Sequence, residues 1–194
     1  MLDLTGKIAI VTGGASGIGR ETALKLASKG AIIFSGDVDT IGNKETAKIA
    51  NDKNGIVHAL ELDITNNDSI ESFASSVMDQ KLEGRKPVDI IVNVAGWDKI
   101  QPFLDATPDF MDKVLSINLA GPINIIRYFL PEMIAVNQGK IVNISSDAGR
   151  VGSMGETIYS GAKGGIIAFT KSLARETARH SINVNCVCPG PTNT

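Results

Sequence analysis

Apolar and polar positions alternate in blocks along this chain. β-Branched apolar runs at 7–12 (KIAIVT), 31–36 (AIIFSG), 55–62 (GIVHALEL), 88–93 (VDIIVN), 140–145 (KIVNIS) and 182–187 (INVNCV) read as strands. Segments of helical period separate them at 17–30, 41–53, 67–82, 108–136 and 157–180. Near-continuous apolar strands imply a parallel sheet buried on both faces, with the intervening helices as its cover. The pattern predicts a doubly wound α/β fold. Six strands are too few for a (β/α)8 barrel, the other architecture that alternates in this way. No repeat, linker or low-complexity stretch divides residues 1–194, so the expectation is a single unit.

Composition narrows the function classes. The chain is 43% hydrophobic and 21% charged, with a formal net charge of −2 and acids and bases interspersed. Without a basic run, neither nucleic acid nor an anionic membrane surface is an expected partner. No run approaches membrane-spanning length and the N-terminus lacks a signal-like start, so the expected location is the cytoplasm. The two cysteines, Cys186 and Cys188, lack nearby ligands for a metal site and read as buried, inert thiols. No metal is expected.

In an open parallel sheet, ligands bind outside the carboxyl ends of the strands. The chemically capable residues cluster there. After the first strand comes TGGASGIG, in which Gly13, Gly17 and Gly19 permit a tight turn and a close backbone approach to a pyrophosphate, with Ser16 and Ile18 between them. The spacing is GxxxGxG rather than GxGxxG, and no GK[ST] follows, which argues against a P-loop nucleotidase. A structural turn uses the same residues. The position between first strand and first helix favours phosphate binding and a Rossmann-type dinucleotide site. Asp37 ends the second strand, where a carboxylate accepts hydrogen bonds from a ribose diol and repels a 2′-phosphate. No arginine follows it. NAD is therefore the expected cofactor over NADP, although a helix N-terminal acid would also suit Asp37.

Asp63 closes the third run, Asn93-Val94-Ala95-Gly96 the fourth, and Ser145-Ser146 the fifth. The next helix carries YSGAK, with Tyr159 and Lys163 four apart on one face. A free tyrosine, with a pKa of about 10, is a poor base at neutral pH, and a neighbouring ammonium favours its phenolate. Alone, the pair reads equally well as two surface residues.

Taken in order, the glycine loop, NVAG, Ser146 and Tyr159-x-x-x-Lys163 resemble the short-chain dehydrogenase/reductase family along essentially the whole chain. The resemblance implies a reversible alcohol–ketone interconversion linked to NAD. It makes Tyr159 the general acid/base, Ser146 the carbonyl anchor, and Lys163 both a depressor of the tyrosine pKa and a ribose ligand. Asn118 would hold a water in a proton relay. Asp63 and Ile64 would flank the adenine, with Asn93, Ala95 and Gly96 also at the cofactor. Pro189, Gly190, Thr192 and Thr194 would position the carboxamide. Val94 departs from the family's NNAG and implies altered local hydrogen bonding.

The stretches AGWDKIQPF and SSDAGRVGSMGE look most like the 2-hydroxycyclohexanecarboxyl-CoA dehydrogenases, with 3-oxoacyl-carrier-protein reductases close behind. The resemblance rests chiefly on Trp97, Asp98, Arg150 and Glu156 and implies a small-molecule substrate such as an acyl-CoA thioester, with candidate substrate contacts at Trp97, Arg150 and Glu156; Trp97 reads equally as packing beside the cofactor. Relatives pair through the helices at 108–136 and 157–180, which implies a homotetramer or homodimer. The family continues beyond the equivalent of Thr194 into a substrate-covering loop and a last strand, which implies a longer native polypeptide. A catalytically silent nucleotide-sensing scaffold is the rival reading, and a chain retaining Asn118, Ser146, Tyr159 and Lys163 together argues against it.

Overall fold

The fold is built outward from β1, Ile8–Thr12, whose five residues are all buried. A computed structural model describes residues 2–80 and 87–192. The chain continues through α1 (Gly17–Ala27), β2 (Ile32–Asp37), α2 (Thr40–Asn51), β3 (Ile56–Glu61), α3 (Asn67–Gln80) and β4 (Ile90–Asn93). It then forms α4 (Pro108–Leu115), a π-helical turn (Ser116–Ala120), α5 (Gly121–Ala135), β5 (Gly139–Ile144), the short α6 (Ala148–Val151), α7 (Thr157–Thr177) and β6 (Ile182–Val187). The six strands form one parallel sheet in the order β3-β2-β1-β4-β5-β6. The order reverses between β1 and β4, and that crevice is where a doubly wound sheet binds ligand.

Alternation along β1 divides the core. Ile8 and Ile10 face a cluster that includes Phe73 of α3, Phe129 and Met133 of α5, and Leu173 of α7. Ala9 and Val11 face the other layer, against Ala23 and Ala27 of α1 and Ala50 of α2. Small residues on that side let α1 sit close to the sheet. Truncating the fully buried Phe129 to alanine would cost about 3–5 kcal/mol.

Register aligns the carboxyl ends. Gly36, Thr12, Asn93, Asn143 and Cys186 lie side by side in neighbouring strands, so residues just past this row share one rim.

Three sequence expectations change. The helix expected over 108–136 is interrupted, because Pro122 has no N–H to donate to the Asn118 carbonyl as α geometry requires. The ladder shifts instead, and the Gly121 N–H donates to the Ser116 carbonyl in a π-type bond. Asp63 does not end a strand: β3 stops at Glu61, and the Asp63 carboxylate accepts from the Thr65 N–H at 2.9 Å in a turn. Cys186 and Cys188 are half-buried rather than buried, because β6 lies at the sheet edge and ends before Cys188. For the helix expected over 67–82, residues 81 and 82 lie outside the described residues.

Candidate active site

A cleft of about 660 Å³ opens at the β1/β4 crevice, within the range of small-molecule and cofactor sites. At one end lies the glycine loop. Gly13 adopts φ +72°, and a Cβ there would lie 2.8 Å from the Ala95 backbone. A Cβ on Gly19 would lie 1.9 Å from the Gly13 carbonyl oxygen, so only glycine lets the helix start this close to the turn. Ser16 caps α1 in extended geometry, yet its side chain makes no capping bond, and the first turn carries no acid. The first N–H groups of α1 thus lack a side-chain partner, which suits an anion. Asp37 bridges the Ala15 N–H and the Asp39 N–H, each at 2.9 Å, and lines the cleft beside Val38.

Asp63, Ile64, Ala95 and Gly96 line the cleft, as do Pro189, Gly190 and Thr192. Gly17 shapes the loop at φ +50°. The Val94 and Ala95 N–H groups both donate to the Thr12 hydroxyl, at 3.1 and 3.2 Å, which fixes the strand exit where the family's second asparagine is missing.

Asn93 departs from expectation. Its side chain is buried in the sheet, donating at 2.9 Å to Asn143, which in turn donates to Thr170; it does not line the cleft. Thr194 lies outside the described residues.

The rim that carries the candidate catalytic residues forms where α7 packs on the end of β5. The Ser145 hydroxyl donates to the Lys163 carbonyl at 2.7 Å, fastening the helix to the strand. Lys163 is only 3% exposed, and its ammonium donates to the Ile144 carbonyl at 2.9 Å. Burial pulls its pKa down to about 8. The ammonium sits 5.5 Å from the Tyr159 ring centre. Tyr159 is half-buried beside Ser146, and both line the cleft with Lys163.

The tyrosine's pKa lies above its ordinary value, contrary to the depression expected from Lys163. Burial outweighs the lowering effect of the neighbouring Ser146 hydroxyl, and the nearby Asp98 and Glu156 carboxylates oppose the phenolate further. Asp98 lies near the Glu156 carboxylate; burial raises the Asp98 pKa, Glu156 raises it further, and the buried Asp98 Oδ2 has no hydrogen-bond partner.

Asn118 is fully buried in the π turn. Its amide donates to the Trp97 carbonyl at 2.6 Å and accepts from the Trp97 N–H at 3.2 Å, clamping the loop after β4. The side chain is therefore occupied by protein, and only its main-chain carbonyl, which Pro122 deprives of an α-helical donor, fits the expected relay. Trp97 lines the cleft, with Lys113 stacked 4.0 Å over its ring; Lys113 had no sequence signal beyond its place on the helix. Glu156 and Asp98 border a small hollow beside Tyr159. Arg150 is not brought in: it pairs with Asp147 at 3.0 Å on the outer surface. Gly121-Pro122 was the legible sign of the π turn, while nothing in the sequence marked α6, which lifts Ser146 by donating the Ala148 N–H to its hydroxyl.

The residues fit a dinucleotide: a glycine cradle that side chains would fill, an acid at the ribose position and a buried cation at the far end. Among the described residues there is no cluster able to hold a metal and no helix long and apolar enough to cross a membrane.

A family model of short chain dehydrogenases matches residues 7–194. The chain is 37% identical to a 3-oxoacyl-[acyl-carrier-protein] reductase of Thermotoga maritima, over 96% of this chain and 74% of the relative. It is 37% identical to a 2,3-dihydroxy-2,3-dihydro-p-cumate dehydrogenase of Pseudomonas putida, over 100% of this chain and 73% of the relative. An uncharacterized oxidoreductase of Bacillus subtilis is 33% identical over 98% of this chain. With the sheet order and the cleft in place, these likenesses establish that the chain belongs to the short-chain dehydrogenase family, oxidoreductases that act on CH–OH groups with a nicotinamide dinucleotide.

Proposed function

We propose that this protein interconverts a secondary alcohol and a ketone with NAD. The convergence of Ser146, Tyr159 and Lys163 on one wall of the cleft supports this reading above all. In reduction, the Tyr159 hydroxyl gives its proton to the carbonyl oxygen; in oxidation, its phenolate takes the alcohol proton. Ser146 hydrogen-bonds the same oxygen and stabilises the charge that develops there. Bound in the cleft beside Tyr159, a nicotinamide cofactor would supply the hydride for reduction and accept it in oxidation. Lys163 would hold the nicotinamide ribose, and its charge would recover part of the cost of the phenolate. The Asn118 carbonyl anchors a water that returns the proton to solvent. Asp37 takes the adenosine ribose diol and disfavours NADP.

The substrate proposed is a secondary alcohol, or its ketone, on the ring or chain of an acyl thioester, as in 2-hydroxycyclohexanecarboxyl-CoA or a related 3-hydroxyacyl-CoA. Trp97 lines the cleft with Tyr159, and Glu156 borders the hollow beside Tyr159, which supports both as substrate contacts. The similarity to a carrier-protein reductase supports a second substrate, a 3-oxoacyl chain on acyl-carrier protein. Absorbance of NADH at 340 nm, followed with a panel of hydroxyacyl-CoA, oxoacyl-carrier and cyclic diol substrates, tests the reading. Turnover with a CoA thioester above the others supports it; no turnover of any, with NADH bound, favours the silent scaffold.

A further inference from the structure

Beneath the glycine loop lies a cation that the reaction does not use. Arg20, on the first turns of α1, is half-buried and, among the described residues, has no ion pair. Its guanidinium is spent on neutral acceptors: Nη2 donates to the Ala15 carbonyl and, at 3.3 Å, to the Gly42 carbonyl, while Nε donates to the Thr46 hydroxyl at 3.0 Å. The buried Thr46 hydroxyl lies 2.8 Å from the Gly14 carbonyl and donates to it. Neither Arg20 nor Thr46 lines the cleft.

A planar trans peptide points its carbonyl and the following N–H in opposite directions. Holding the Gly14 carbonyl on Thr46 therefore aims the Ala15 N–H the other way, and there it meets the Asp37 carboxylate at 2.9 Å. Holding the Ala15 carbonyl on Arg20 likewise turns the Ser16 N–H toward the side where Ser16 lines the cleft. Without these two anchors, either peptide could flip and present a carbonyl, which repels a pyrophosphate.

We propose that Arg20 and Thr46 are positioning residues for the cofactor. They fix two peptide planes so that one N–H serves the pyrophosphate and the other holds Asp37 in place for the ribose. The arginine charge, set behind a loop with no acid of its own, adds to the attraction for the anion. The inference rests on the NAD reading and goes beyond it in assigning ribose discrimination to residues that touch no cofactor atom.

Calorimetric titration of NADH and NADPH into the intact protein and its variants tests this, with thermal unfolding as the control for folding. Arg20→Met and Thr46→Val are expected to weaken NADH binding about tenfold and to narrow the NADH-to-NADPH preference, while Thr46→Ser stays within about twofold of wild type. In steady state the loss falls on KM for NADH rather than on kcat. An Arg20→Met protein that melts as wild type does and binds NADH within twofold overturns the proposal. So does a loss shared equally by kcat and KM. Should Arg20→Met fail to fold, the contrast between Thr46→Val and Thr46→Ser decides by the same criteria. A wild-type protein that binds neither nucleotide overturns the cofactor reading and this proposal together; wild-type binding with unaffected variants overturns this proposal alone.

Discussion

Around the glycine loop, polar groups are matched in pairs: Asp37 by two N–H groups, Asp39 by Gly42, Ser35 by Asn43, Arg20 by carbonyls and a hydroxyl. At the rim of Ser146, Tyr159 and Lys163, proposed as catalytic, the matching is incomplete. Lys163 is a buried cation with one carbonyl for company, Tyr159 is held above its ordinary pKa, and the Asp98 Oδ2 and Ser160 Oγ are buried without partners. The contrast agrees with the two roles proposed for these ends. A binding end gains from rigidity and satisfied hydrogen bonds, because it must present N–H groups in one arrangement. A proton-transfer end needs groups whose charge state is poised, and burial provides that at a cost in stability.

The sharpest way to break the comparison is Tyr159→Phe. Turnover is expected to fall by about 10²-fold or more, with NADH affinity near wild type by calorimetry. Retained turnover would remove the rim's claim to proton transfer.

Lys163→Met tests whether the rim is costly. The lysine pKa falls from 10.5 in the unfolded chain to about 8 in the fold, so the unfolded state binds more protons between those values. Wild-type stability should therefore rise with pH through that window and be lowest, relative to Lys163→Met, below pH 8. The difference amounts to roughly 3 kcal/mol, readable in urea midpoints at pH 7 and pH 10. Activity falls in the same variant.

At the other end, Asp37→Ala combined with Val38→Arg should move the ratio of NADPH to NADH affinity by about tenfold toward NADPH. No shift would mean that the loop end does not read the ribose. The smallest effect expected is that of Ser145→Ala, which unties α7 from β5 at a cost of roughly 1 kcal/mol in chemical denaturation.

The sheet, its parallel sense and most of its strands were legible in the sequence, because burial on both faces writes continuous apolar runs that periodicity alone detects. The glycine loop, Ser146, Tyr159 and Lys163 were legible because their spacing is local: a turn, a strand end and an i,i+4 pair. Asn93 and Arg150 were assigned to the site by motif, and side-chain direction, which motif does not encode, sent one into the sheet and the other to solvent. Tertiary structure alone decided three further things. It set the tyrosine's charge balance, since burial and the Asp98–Glu156 pair come from loops far apart in sequence. It placed Arg20 and Thr46 under the loop, 26 residues apart in the chain yet hydrogen-bonded. It also turned Asn118 onto Trp97 through a π turn that a single proline makes necessary. Local spacing fixes which residues could act, but direction and dielectric arise only when distant segments pack against one another.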